Sequence, residues 1–322
     1  MLSSLLHTAE IQIKGRPMRT GLMIGASDGP DGTINGLIKI AQEAEAKGYD
    51  NVWMANIFGL DAISTLSLLG HSTKKIGLGT AVTPTYPRHP TAIAQQALTA
   101  AAASENRFSL GIGLSHKVVI EDMLGYSYDK PARHMREYLS ILGPLLKGET
   151  VAFQGDQFKV NNVKLDVPGA THVPILVAAL GPVMLKLAGE LADGTVTWMT
   201  GLNTLGDHII PGIGKGAASA GKPTPTIAAG FPIVLTNKVD EAKTMIDKVL
   251  SIYGMLPSYR AMLDKEGAAG PSDVAMVGDE ASLRASIKQL KDVGVTDFCA
   301  SIVAEDTETY QRTFDFLAEE TA

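Results

Sequence analysis

The chain has 322 residues, 45% of them apolar and 19% charged, and carries a net charge of −6 at neutral pH. That balance describes a globular protein with a large core and excludes a disordered or fibrous chain; basic residues that nowhere cluster give no footing for nucleic acid. No apolar run is long enough to span a bilayer and no leader pattern opens the chain, so a cytoplasmic protein is expected, while the single Cys299, set in an apolar run, excludes a disulfide framework and a cysteine-rich metal site.

Residues 1–17 precede any regular pattern and are read as an arm. Residues 20–25 (TGLMIG) suit a first strand, and the Gly/Asp/Pro-rich residues 26–32 a loop. Thr33 is placed to cap a helix whose apolar face is Ile34, Leu37, Ile38, Ala41 and Ala44, closed by Gly48. Residues 50–56 (DNVWMAN) give a second strand and residues 61–71 a second helix. The third strand, residues 76–82, is glycine-punctuated and β-branched, as suits burial on both faces. Pro84, Pro87 and Pro90 lack the amide that a sheet ladder needs, so the chain is expected to leave the sheet near Thr83 and re-form as a helix after Pro90.

Residues 108–115 (FSLGIGLS) are the fourth strand and residues 131–147 the fourth helix. Between residues 148 and 173 the alternation pauses in a β-rich excursion. It resumes with strands at 174–180, 195–200, 226–236 and 297–303, and with helices at 182–192, 239–253, 281–293 and 307–319; residues 254–277 form a second, less regular insertion. Eight near-continuous apolar strands alternating with helices argue for an α/β fold of the (β/α)8 TIM-barrel type, one domain over residues 18–322, rather than for an open sheet.

In such a barrel the chemistry sits where strands end and loops to helices begin. Those positions are Asn56, Thr80 to Thr83, Ser115 and His116, Ala179 to Pro182, and Trp198 to Thr200. Gly181-Pro182 opens a helix, whose unpaired first-turn amides suit a phosphate. His116 and His89 are the candidates for moving a proton, because an imidazole titrates near neutrality; Tyr86 and water are alternatives.

GLGTAVTPTYPRHP, FSLGIGLSH, AALGPVMLKLAGELADG and the junction AKGYDNVWMAN together resemble the bacterial luciferase-like superfamily, and within it the branch that uses the deazaflavin coenzyme F420. The likeness runs from about Arg19 to Glu319. It implies a tricyclic ring at the strand C-termini, a cis peptide at Ala81–Val82 bulging against that ring, and a coenzyme site drawing on Asn56, Thr80, Ala81, Val82, Gly113, Ser115, His116, Ala179, Leu180, Gly181, Pro182 and Trp198. The catalytic residues it leaves are His116, His89 and Asn56. Relatives place an acidic residue and a histidine after the second strand; Asn56 and Ile57 stand there in this chain, which removes the obvious general acid.

The implied activity is hydride transfer between F420 and a small organic substrate, in the direction that reduces an activated C=C or C=N bond. The alternatives are an FMN-dependent monooxygenase, a carrier that binds flavin without turnover, and a cofactor-free barrel isomerase or aldolase, the last disfavoured by the absence of a lysine at any strand end. Relatives are often homodimers, and the same is expected here. Residues 254–277 and 148–173 are expected to contact the substrate. Two motifs are set aside: GIGKG at residues 212–216 lacks the Ser or Thr of a phosphate loop, and GIGLSH at 111–116 has His116 in place of a dinucleotide fold's third glycine.

Overall fold

A computed structural model describes residues 17–25 and 32–321; the arm expected over residues 1–17 and the loop expected over 26–32 fall almost wholly outside them. Eight parallel strands close into a barrel: β1 (Arg19–Ile24), β2 (Asn51–Met54), β3 (Gly77–Thr80), β5 (Phe108–Gly113), β8 (Ile175–Val177), β9 (Gly194–Trp198), β10 (Thr226–Leu235) and β12 (Asp297–Ile302). Each pairs with the next in that order, and β12 pairs back onto β1, so the sheet has no free edge within the ring. Among the described residues no helix is long and apolar enough to cross a membrane.

The helices form where the caps are. Thr33 accepts from the Gly36 amide at the start of α1 (Ile34–Ala46), and Asp61 from the Ser64 amide at the start of α2 (Ala62–Ser72). Proline takes the first turn of α3 (Pro90–Ala103), α4 (Pro131–Leu146), α5 (Pro182–Leu191) and α6 (Ile210–Ser219), where its missing N–H costs nothing. Next come α7 (Val239–Val249), α8 (Pro257–Glu266), α9 (Glu280–Val293) and α10 (Thr307–Glu319). The glycines and lysine of residues 212–216 belong to α6, where a Cβ on Gly216 would meet the Lys186 carbonyl of α5 at 2.4 Å; the motif is a close helix contact, not a phosphate loop.

Four expectations need correction. The third strand does not run unbroken to Val82: it stops at Thr80 and resumes as β4 (Thr83–Pro84), paired with Ile112 and Gly113 of β5. Pro84 fits there because the next amide, that of Thr85, donates to the Gly113 carbonyl at 2.9 Å. The helix expected to run from Val239 to Tyr253 breaks at Leu250. The insertion at 254–277 is regular: it holds α8, a 3-10 turn and β11 (Met276–Gly278), which extends the sheet beside β10. The segment after β5, read as a loop, winds into a π-helical turn at Val118–Met123. In the other insertion, β6 (Val151–Gln154) and β7 (Lys159–Val163) form an antiparallel hairpin.

The barrel interior is filled mostly by apolar side chains. Trp53 fills it, only 2% exposed, and has room because Gly21 and Gly79 flank it: a Cβ on Gly79 would lie 2.3 Å from the indole. Val196, Ala228, Leu176 and the buried Cys299 complete this inner cluster, below which Asp297 makes a polar plug.

Candidate functional site

At the C-terminal ends of the strands a cavity of about 660 Å³ opens, within the range of small-molecule sites. Its inner wall is made by the interruption of the third strand. Thr80, fully buried, locks that interruption from behind: its Oγ1 donates to the Gly111 carbonyl at 2.7 Å and accepts from the Gly111 amide at 2.8 Å. The Ala81–Val82 peptide that follows is cis, at the bond the sequence resemblance singles out. Ala81 and Val82 therefore push into the cavity, where Gly113 and Ala178 face them. A Cβ on Gly113 would lie 2.7 Å from Val82 and 3.2 Å from Ala178, so glycine is what keeps this wall flat.

The N-terminus of α5 lines the same cavity. Gly181 and Leu180 line the cavity, nothing lies within 4 Å of a Cβ built on Gly181, and the first-turn amides have no partner inside the helix. The loop is held by His208, whose Nε2 donates to the Leu180 carbonyl at 2.7 Å. The wall between these two features is mostly apolar, with Met23, Leu114, Met184 and Val196 among its residues.

The loop after β5 supplies the polar rim. Ser115 adopts a left-handed backbone (φ 59°), rare for a residue with a side chain, and its carbonyl accepts from the Tyr128 hydroxyl at 3.2 Å. His116 follows, half-buried, its ring 5.7 Å from that of Tyr259; burial lowers its pKa below the ordinary histidine value. Burial raises the phenols of Tyr128 and Tyr259, so both stay protonated at neutral pH. Glu121, from the π-helical turn, accepts from the Tyr128 amide and pairs with Lys117. Trp198 ends β9 and lines the cavity beside Met199, which is also left-handed (φ 48°); the buried Trp198 Nε1–H meets no acceptor among the described residues.

The structure therefore gathers Ala81, Val82, Gly113, Ser115, His116, Leu180, Gly181 and Trp198 around one cavity. It leaves others outside. Thr80 and Ala179 are buried behind the wall, and Pro182 occupies the first helical turn of α5 without reaching the lining. His89 is exposed and spent as a cap: its Nδ1 accepts from the Thr91 amide at 3.3 Å, and its ring edge meets Phe158. Asn56 accepts from the Ala62 amide at 3.0 Å, next to the Arg88–Asp61 ion pair, and so fixes the start of α2. Neither His89 nor Asn56 touches the cavity. Tyr86 is stacked between His134 and Tyr128, and it too stands off the lining.

Of the two insertions expected to meet the substrate, residues 254–277 do line the cavity, through Leu256, Pro257, Ser258 and Tyr259; residues 148–173 contribute nothing to it and pack on α4 instead. Tyr128 and Tyr259 escaped the sequence reading. The available signal was density: Tyr253 and Tyr259 are two of only eight tyrosines, set close together in an insertion.

Residues 17–313 match the family model described as luciferase-like monooxygenase. Among curated proteins, the chain is 29% identical to 5,10-methylenetetrahydromethanopterin reductase of Methanolobus tindarius, over 84% of this chain and 91% of that one. It is 27% identical to F420-dependent glucose-6-phosphate dehydrogenase of Amycolatopsis mediterranei, over 65% and 67% respectively. Among solved structures, an F420-dependent secondary alcohol dehydrogenase in complex with an F420-acetone adduct superimposes with a TM-score of 0.78 at 20% identity, covering 94% of this chain and 97% of that one. The last likeness shows the fold: a (β/α)8 barrel.

Proposed function

The chain belongs to the luciferase-like monooxygenase family, and from that we propose that it is an F420-dependent oxidoreductase, passing a hydride between deazaflavin C5 and a small organic substrate and so reducing an activated C=C or C=N bond. One observation carries the reading: a flat apolar wall of Ala81, Val82, Gly113 and Ala178 and a helix N-terminus line a single cavity of about 660 Å³. A planar ring and a phosphate are the two groups that such a pair of features suits. Relatives whose names carry F420 support the choice of ring.

F420, when bound, supplies the hydride. The chain's own residues position, dry and protonate. Ala81 and Val82 would support the ring, and Trp198 and Tyr259, on the same cavity, would meet the substrate. The amides of Val183 and Met184, with Gly181 offering no side chain to obstruct them, hold the phosphate. His116, uncharged at neutral pH, is the proton-moving group on the rim. It takes a proton from solvent and passes it to the atom adjacent to the one that receives hydride.

An FMN-dependent monooxygenase is the second reading, because the family's own description names that class of reaction. A titration of the purified protein with F420 and with FMN, followed by absorbance and fluorescence of each ring, separates the two. Tight binding of F420 with weak binding of FMN is expected. The reverse preference would overturn the first reading.

A further inference from the structure

The part of the cavity not assigned to the coenzyme has a distinctive chemistry, and what it lacks is as informative as what it holds. Among the described residues lining it there is one ammonium, Lys117, whose side chain is 72% exposed and lies 3.5 Å from Glu121, and there is no guanidinium. His116 adds no charge at neutral pH, since burial lowers its pKa. Glu121 and Asp122 are both on the wall, so its fixed charge is net negative. Among the described residues, the feature there that attracts an anion without a carboxylate beside it is the N-terminus of α5, which the coenzyme phosphate would take.

What the wall offers is aromatic surface. Tyr259 stands between His116, at 5.7 Å, and Tyr253, which meets it edge to face at 5.1 Å; Tyr253 in turn meets Trp198 at 6.2 Å with the planes 68° apart. Trp198 and Tyr259 line the cavity, and Tyr253, off the lining, packs edge to face against both and so joins the end of β9 to the insertion that carries α8.

We propose that the substrate is a planar, cyclic, conjugated carbonyl compound bearing no anionic group, stacked against Trp198 and Tyr259. The proposal rests on the coenzyme reading above. In the reaction the reduced deazaflavin gives up the electron pair as hydride to the carbon β to the carbonyl, the C=C π bond breaks, and the α carbon takes a proton by way of His116 or water. Phosphorylated or carboxylated acceptors are disfavoured because desolvating an anion against Glu121 and Asp122, with Lys117 already paired to Glu121, costs more than stacking returns.

Coumarin and coumarin-3-carboxylate differ by one anionic group and serve as the probes. Calorimetric titration into protein saturated with oxidised F420 is expected to show coumarin binding at least about tenfold more tightly than the carboxylate. Tyr259→Ala is expected to weaken coumarin about fivefold or more while leaving F420 affinity, read from its fluorescence, unchanged. Equal or tighter binding of the carboxylate, or no binding of either probe, overturns the proposal. Failure of F420 itself to bind overturns the coenzyme reading instead; the same pair titrated into cofactor-free protein then decides the charge preference by the same criterion.

Discussion

Gly113 shows how much a single missing side chain decides. A methyl group at this position would lie 2.7 Å from Val82, inside any normal contact distance, and Val82 has only the cavity to move into. Gly113→Ala is therefore expected to lower F420 affinity by at least about tenfold, with a modest loss of stability of about 1 kcal/mol, checked by F420 fluorescence titration beside a denaturant curve. Affinity unchanged by the methyl group would mean that the ring does not use this wall. At the opposite rim, His116 makes a prediction about pH. Burial lowers its pKa, so the protonated form grows only as pH falls below about 6.5. If this imidazolium gives the proton, kcat/KM for reduction rises as pH is lowered through a value below that point, and His116→Gln flattens the acid side of the profile. A profile that keeps the same inflection after the substitution assigns the proton to another group.

Elements in this chain are held by local devices that a sequence shows only in part. The turn between α2 and β3 is an example. Glu45, on α1, accepts from the amides of Lys74, Lys75 and Ile76, and Arg107 seals the same turn by donating to the carbonyls of Gly70, Thr73 and Ile76. Burial works to raise the Glu45 pKa, but the three amides and the Arg107 charge together carry it below the ordinary carboxylate value. A depressed folded pKa contributes stability above the unfolded value, about 4.3, and that stability is lost as pH falls through the folded value. Glu45→Ala is thus expected to cost about 1 kcal/mol at pH 7, since solvent screens this exposed turn, and less below pH 4, measured by urea unfolding at both pH values. A cost equal at the two pH values would place the effect in packing, not charge.

No spacing rule points from Glu45 to residues 74–76. What was legible were the elements with their own internal period. The last helix was read as 307–319 and found there, because Asp306 caps it and its apolar positions recur on one face; the eight strands stood out through continuous apolar runs between breakers. The insertion after residue 254 was read as irregular because its apolar residues serve a cavity rather than a helix face, and the same cause hid Tyr259. His89 was drawn to the site by residue type and Asn56 by its place after the second strand, and the structure spends both on helix starts, a local use that competes with any functional one.

At the scale of the whole molecule the barrel separates two tasks by its two ends. The C-terminal end carries the cavity, with left-handed Ser115 and Met199 and unpaired polar atoms. The N-terminal end is closed by a satisfied polar plug. Asp297, 1% exposed at the first position of β12, accepts from Arg19 at 2.6 Å, from the Asn51 side chain at 3.1 Å and from Thr296 at 2.8 Å, and so binds β12, β1 and β2 where the ring closes. Gly77 of β3 leaves the space that Asn51 needs, since a Cβ there would lie 2.1 Å from its Oδ1. Removing the carboxylate strands Asn51 and Arg19 without their acceptor. The cost stays below that of a fully enclosed ion pair, because Arg19 is partly solvated and can turn to water. Asp297→Ala is therefore expected to destabilise by about 2 to 3 kcal/mol, and Asp297→Asn by less, since its amide oxygen still accepts. If the two ends are independent, F420 affinity at a temperature where the variant is folded stays within about threefold of the parent, as distant sites that share no partners require. A loss of affinity in step with the loss of stability would show instead that the plug sets the strand positions on which the ring-binding wall depends.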